Sequence, residues 1–291
     1  MKVCMILKRN FEMLKTDSRV LREASALIEA GYEVYLIIFS SNGEEIITEY
    51  KGIKIKQVKI KSFWGLDKYN LFSINNKGYQ DFIGKLMFFL PYNFLYYRRA
   101  LQVASDINVD IYHCHDFETL SIGYKLKKRL GCKLIYDSHE LWTESSYFSI
   151  LPKIISLPLK MITVFLEKKI IRRTDINITV NDSISHYLYK KYNIIKPKVI
   201  RNVPKFIPIK NNENLLRKEF KLDSEKKIVI YQGYLSINRG IENVLSSWEY
   251  VNNNIVLIFM GYGPLLNKIK QIIKNKKLSN RIFIKKAVKP E

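Results

Sequence analysis

Acidic residues are scarce in this chain. There are 27 Asp and Glu against 49 Lys and Arg, giving a net charge of +22. That surplus suits nucleic acid, an anionic membrane surface or a phosphorylated substrate; a lysine-rich composition, with Ile, Asn and Tyr also abundant, is the plain alternative. Cysteine is scarcer still. Cys4, Cys114 and Cys132 lie in or beside apolar runs without CxxC spacing, which fits buried reduced thiols in a cytosolic protein rather than a disulfide framework. No segment offers the ~20 uninterrupted apolar residues of a membrane span. After Met1-Lys2 the apolar run VCMIL stops at Lys8-Arg9, too short for a secretory signal. Internal repeats, low-complexity tracts and motifs that read DNA or RNA are also missing, so no nucleic-acid partner is expected. What is present is a core: 291 residues, 47% of them apolar, enough for two domains of ordinary size.

Val3–Leu7, Val34–Phe39, Ile111–His115, Lys133–Asp137 and Ile176–Val180 are short, nearly continuous apolar runs. Such runs mark parallel strands covered on both faces. Ser18–Ala30 between them places Val20, Leu21, Ala24, Leu27 and Ile28 on one helical stripe, with Asp17 or Ser18 as N-cap and Gly31 just past the end. Ile53–Ile60 alternates as an exposed or edge strand and changes phase at Gln57, where a bulge or turn fits. The order predicts α/β architecture, a doubly wound sheet followed by a second Rossmann-like series. The pattern breaks at NVPKFIPIKNNEN. The expected division is an N-terminal domain over 1–202, a linker over 203–224 and a second domain over 225–291. Those last 67 residues leave the second domain short of the ~100–150 that a complete α/β half needs.

Two segments mix apolar and basic residues. Phe82–Leu101 carries seven aromatics, and Tyr147–Arg173 interleaves Leu, Ile and Phe with Lys153, Lys160, Lys168, Lys169, Arg172 and Arg173. Each reads either as an interfacial helix on anionic headgroups or as a core helix whose lysines snorkel. The expected location is cytoplasmic, or peripheral on the inner face of the plasma membrane.

The tract YQGYLSINRGIENVL with the following VLIFMGYGP reads as strand, glycine turn, helix, strand, glycine turn. Gly233 ends one strand; Arg239 and Gly240 open an apolar-periodic helix; Gly261 and Gly263 end the next strand. Two parallel strands with glycine turns at helix N-termini form a cradle for anions, because free N–H groups point there. Arg239 adds positive charge, and the expected ligand is a diphosphate.

Three of the four histidines, His113, His115 and His139, fall at the C-terminal ends of two successive strands, in IYHCHDF and IYDSHELW. Asp116, Asp137 and Glu140 lie beside them. Ligands of open α/β sheets bind at that edge. The cluster reads as a metal site, as histidines satisfied by hydrogen bonds at strand ends, or as a binding cleft without metal.

Taken in order, DSRVLREASALIEAGYEVYLI, DIYHCHDFETL, LIYDSHELW, RRTDINITVND, VIRNVP, YQGYLSINRGIENVL and FMGYGP resemble the bacterial family 4 (group 1) retaining glycosyltransferases of GT-B architecture, which build cell-surface polysaccharides. The resemblance spans nearly the whole chain. It implies an acceptor-side first domain and a second domain that binds a nucleoside diphosphate sugar, with the cleft between them, and neither metal nor separate cofactor. It assigns His115 and Arg239 catalytic roles, the former near the transferred sugar, the latter in place of a usual lysine. It puts Gly233, Tyr234, Gly240, Gly261, Gly263 and Asn202 at the nucleotide, and Asp116, His139 and Glu140 at the acceptor or cleft. The implied acceptor is a saccharide or a polyprenyl-linked saccharide.

Three departures stand out. Tyr234 occupies a place where many relatives have arginine. Lys8–Asp17 lacks the glycines of many relatives' N-terminal loop. The family's paired glutamates would lie beyond Glu291, so a C-terminally truncated chain is expected. A nucleotide-sugar epimerase or hydrolase of the same fold, or an inactive fragment acting as a basic binding module, are the alternatives.

Overall fold

The computed structural model describes residues 1–40, 45–59, 94–144, 148, 152–203, 206, 208, 214–237 and 239–288. They fall into two compact units, Met1–Pro204 and Lys205–Glu291.

The first unit begins with β1 (Lys2–Ile6), α1 (Phe11–Thr16), α2 (Ser18–Glu29), β2 (Glu33–Phe39), β3 (Ile46–Tyr50) and β4 (Ile53–Val58). A helix over 94–105, here α3, follows. Then come β5 (Ile111–His115), α4 (Asp116–Leu130), β6 (Lys133–Ser138), α5 (Lys153–Ile171), β7 (Ile176–Thr179), α6 (Asp182–Tyr192) and β8 (Lys198–Val199). The sheet runs β3-β4-β2-β1-β5-β6-β7-β8. Its pairs are parallel except β3 against β4.

Alternation along the strands feeds two cores. Cys4, Ile6, Ile37, Tyr112 and Cys114 pack with Tyr96, Ala100 and Leu126 on one face. Val3, Met5, Leu36 and Ile38 pack with Leu14, Val20 and Ala24 on the other. Each large apolar side chain so buried contributes about 1.5–3 kcal/mol, and coverage on both faces is why these strands read as unbroken apolar runs. Cys4 and Cys114 are buried thiols, as expected, while Cys132 is partly exposed. Helix α2 starts at Asp17, whose side chain accepts the Val20 N–H, and ends before Gly31 at φ +83°.

One expectation changes, and one segment is described only in part. Strand β4 is internal, flanked by β2 and β3; its register with β2 runs unbroken past Gln57, and its pairing with β3 starts at Gln57. Alternation reports one solvated face; it does not count ladder partners, and the edge falls to β3. Of Phe82–Leu101, residues 82–93 lie outside the described residues; 94–101 belong to α3, with Tyr96 and Ala100 in the core.

The second unit holds α7 (Leu215–Glu219), β9 (Lys227–Tyr234), α8 (Ile241–Ser247), β10 (Ile255–Tyr262), α9 (Leu266–Asn275) and β11 (Ile282–Lys285). Its parallel sheet runs β11-β10-β9. Leu257 and Phe259 pack with Ile241, Leu245, Trp248 and Ile269 from the helices. Helix α7 falls within the expected 203–224 linker. It is docked to this unit by the Lys285–Glu219 ion pair, and Phe220 meets Phe283 at 5.0 Å between ring centroids.

Candidate functional site

The C-terminal edge of the first sheet gathers the histidines. Strand β5 delivers His113 and His115, stacked 4.4 Å apart; β6 delivers Asp137, and the turn after it His139 and Glu140. Parallel neighbours put all of these at one end of the sheet, since β5 and β6 pair His115 with Asp137. Helix α2 sends Arg19 into the same cluster, where Nη2 lies 2.7 and 2.9 Å from the Asp137 oxygens. One turn on, Glu23 sits 3.0 Å from Arg19 Nε. That N–H is not aimed at the carboxylate, so the pair is ionic and not hydrogen-bonded.

Asp116 opens α4 with φ +62°, a left-handed conformation that costs an aspartate on the order of 1–3 kcal/mol and concentrates at functional sites. Its Oδ1 accepts the His139 backbone N–H at 3.0 Å, and its Oδ2 lies 3.4 Å from His139 Nδ1. His139 Nε2 is 3.4 Å from Asp137 Oδ2 and 3.2 Å from His115 Nδ1. Burial works against charge on His139, but hydrogen bonds to Asp116 and Asp137 outweigh it and raise the pKa to about 10. His139 is therefore held in its protonated form between the two carboxylates, 3.4 Å from each. Burial and the neighbouring His113 push His115 well below the ordinary histidine range, so His115 is neutral and accepts at Nδ1. Its Nε2 is buried with no hydrogen-bond partner among the described residues.

Burial would raise the pKa of Asp137, yet the His113 and His139 imidazoles beside it hold it well below the usual range. Burial and the Asp137 charge raise Glu23 to about 7. Burial and the Asp116 charge also raise Glu140.

The sequence placed His115, Asp116, His139 and Glu140 together, and they are together. His115, however, is 1% exposed. The solvent-reachable groups at this edge are His139, Asp116 and Glu140, with His115 behind them. Glu23, His113, His115 and Asp137 each offer a ligand atom within 4.8 Å of the others, a set able to hold a divalent cation. Arg19 already supplies positive charge to two of the four, so a cation would have to displace it. Arg19 and Glu23 were missed as site residues; their signal was an i, i+4 charge pair inside an otherwise apolar stripe. Asn202 lies beside the first turns of α2, where its Oδ1 accepts from Arg22 Nη2 and the Val203 carbonyl accepts from Arg22 Nη1 at 2.7 Å.

In the second unit, the ends of β9 and β10 run side by side, Gly233 opposite Gly261 and Tyr234 opposite Tyr262. The Leu235 N–H donates to the Tyr262 carbonyl at 2.8 Å, and the Leu265 N–H donates to the Leu235 carbonyl at 3.0 Å. The glycines answer this approach: a Cβ on Gly261 would lie 1.9 Å from the Gly233 oxygen, and one on Gly263 2.4 Å from the Leu235 oxygen. A depression of about 220 Å³ opens here, lined by Gly233, Tyr234, Gly261, Tyr262, Ala287 and Val288 among others. Tyr234 and Tyr262 meet edge to face at 5.4 Å beside it. Gly240 caps α8, and Arg239 precedes it on the surface. A wider hollow of about 580 Å³ on α6, lined by Ser183, His186 and Lys190 among others, includes none of these motif residues.

No curated protein matches the chain by sequence. Among solved structures, similarity extends over nearly the whole chain at low identity. Sucrose-phosphate synthase from Thermosynechococcus elongatus is 13% identical, with TM-score 0.60, covering 99% of this chain and 71% of that one. Anabaena Alr3699/HepE in complex with UDP and glucose is 12% identical, TM-score 0.62, covering 99% and 70%. WaaG, a glycosyltransferase involved in lipopolysaccharide biosynthesis, is 13% identical, TM-score 0.61, covering 98% and 70%. These likenesses establish the fold, two Rossmann-like units of the GT-B plan. A Glycosyltransferase Family 4 model matches residues 17–210, and a Glycosyl transferases group 1 model matches residues 212–291. The chain belongs to glycosyltransferase family 4, with a group 1 glycosyltransferase domain following the family 4 domain.

Proposed function

We propose that the protein transfers a sugar, a hexosyl unit, from a nucleoside diphosphate sugar to a saccharide or lipid-linked acceptor with retention of configuration, in cell-envelope polysaccharide synthesis. The paired turns Gly233-Tyr234 and Gly261-Tyr262, lying in the group 1 match and bordering the depression, carry this reading. Structural likeness to a protein solved with UDP and glucose supports it.

Breaking the bond from anomeric carbon to diphosphate builds negative charge on the leaving oxygen. Backbone N–H groups near Gly233, Gly240, Gly261 and Gly263, with the Arg239 guanidinium, would stabilise that charge without a metal or other cofactor. Tyr234 and Tyr262 offer the nucleotide aromatic surface. On the first unit, His139, Asp116 and Glu140 face the acceptor. His115 holds His139 through its Nδ1, and Asn202 is held in place by Arg22. Peripheral attachment to the inner face of the plasma membrane would bring a polyprenyl-linked acceptor within reach.

The test is incubation with UDP- and GDP-sugars and a saccharide acceptor, followed by NMR of the product's anomeric proton. An acceptor glycoside with the donor's anomeric configuration is expected. Inverted product, free sugar or an epimerised donor would overturn the reading.

A further inference from the structure

Among the described residues of the first unit, the buried side-chain polar atoms without a hydrogen-bond partner all fall at one place. They are Arg19 Nε, both Glu23 carboxylate oxygens, His113 Nε2 and His115 Nε2. His113 is 5% exposed and His115 1%, so bulk water does not satisfy them. Buried polar groups are otherwise paired almost without exception, and a cluster of unpaired ones points to a group that joins them.

The spacings are those of ligands around one metal ion. His113 Nε2 lies 3.6 Å from Asp137 Oδ2. His115 Nδ1 lies 3.7 Å from the same oxygen and 3.9 Å from Glu23 Oε2. These separations are too long for hydrogen bonds. Zinc holds imidazole nitrogen and carboxylate oxygen at about 2.0–2.2 Å in a tetrahedron, which sets its ligands roughly 3.3–3.6 Å from one another. A small contraction brings the four atoms onto such an ion. Two imidazoles with two carboxylates suit zinc, whereas magnesium and calcium favour oxygen ligands.

Charge points the same way. Three carboxylates, Glu23, Asp137 and Asp116, face two cations, Arg19 and the protonated His139. One negative charge is left over. Burial and the Asp137 charge raise Glu23 to about 7, so near neutrality a proton answers that charge. A divalent cation would replace the guanidinium and that proton together, with no change in net charge. The released Arg19 has a partner outside the cluster, the Ile200 carbonyl, 3.3 Å from its Nη1.

We propose that Glu23, His113, His115 and Asp137 form a binding site for a zinc-like divalent cation, with the Arg19 guanidinium as the stand-in when no cation is bound. Occupancy takes His115 Nδ1 from His139 and ties α2 to β5 and β6 through the ion. The site lies within the first unit and its binding is read without turnover, so it stands or falls apart from sugar transfer.

The probe is Co²⁺ added to the chelator-treated chain, because tetrahedrally bound cobalt absorbs visible light far more strongly than hydrated cobalt. One equivalent should develop that band, and Zn²⁺ should abolish it. His113→Phe keeps a ring against His115 but removes a ligand, and Glu23→Gln removes a charge. Each should weaken Co²⁺ binding by about 100-fold or more, the upper end of what losing even a supporting contact costs. Arg19→Met should act in the opposite direction. Co²⁺ binds it more tightly than the parent, and saturating Zn²⁺ raises its melting temperature by more, since the ion supplies the lost counter-charge. Circular dichroism checks that the variants fold, and the parent titration needs no variant. A parent chain without the band overturns the proposal. So does a band unchanged in both His113→Phe and Glu23→Gln, as cobalt on the exposed His186 would give. An Arg19→Met chain bound and stabilised no better than the parent overturns it as well.

Discussion

Arg19 and Asp137, 118 residues apart in sequence, form a buried two-point ion pair at 2.7 and 2.9 Å that ties α2 to the end of β6. Asp137 is fully buried and Arg19 nearly so. Around this pair His115, His139 and Glu23 take their protonation states.

Removing one partner of that pair strands the other. Arg19→Met should destabilise the first unit by about 3–5 kcal/mol, the usual cost of an uncompensated buried charge. Urea denaturation of the chain measures it. A loss under about 1 kcal/mol would show that water reaches Asp137 and that the pair is not structural.

The second prediction concerns pH. His139 titrates near 10 in the folded chain and at 6.5 as a free side chain. A raised pKa means the folded state holds the proton more tightly, so His139 stabilises fully below pH 6.5 and loses this contribution as pH rises toward 10. The loss should be on the order of 5 kcal/mol, visible as a fall in melting temperature between those limits. His139→Gln should flatten that limb; an equally steep limb in the variant assigns it to another group.

Glycine substitutions should separate close approach from backbone strain. Gly261→Ala places a Cβ 1.9 Å from a backbone oxygen, which forces the β9 and β10 ends apart at a cost above about 3 kcal/mol. Gly240→Ala meets nothing within 4 Å and carries only the strain of φ +72°, roughly 1–2 kcal/mol. Thermal melts that rank the two the other way would contradict the packing of the paired turns.

Arg239→Ala should lower kcat/KM for sugar transfer by a factor matching about 2–4 kcal/mol, the cost of losing one donor to a developing oxyanion. Steady-state kinetics with a nucleotide-sugar donor reads it. Turnover within about threefold of the parent would remove Arg239 from the leaving-group site.

Much of the fold was legible in the chain because each parallel strand is buried on both faces. Val34–Phe39 and Ile111–His115 read as unbroken apolar runs, and Ser18–Ala30 as a single stripe closed by Gly31. Strand β4 misled because an alternating run looks the same whether it has one ladder partner or two. The histidine edge was half legible. His-x-His on one strand and a histidine after the next had to meet if the strands were parallel neighbours. Nothing in the local pattern announced that Arg19 would reach Asp137.

The sequence alone determined the order of strands and helices, the glycine turns and the excess of cations, because these depend on neighbours along the chain. Tertiary structure decided which groups are charged and which faces are free. His139 became an imidazolium only between two carboxylates, and His115 became neutral only by burial behind it. The direction of α5 was settled the same way. Its residues suit a core or an interface equally well, and the hydrogen bonds of Glu167 to Tyr136 and Tyr192 turn its polar side inward. That leaves Ile154, Met161 and Phe165 facing out, since a helix pinned by a buried carboxylate cannot rotate without stripping that carboxylate of its partners.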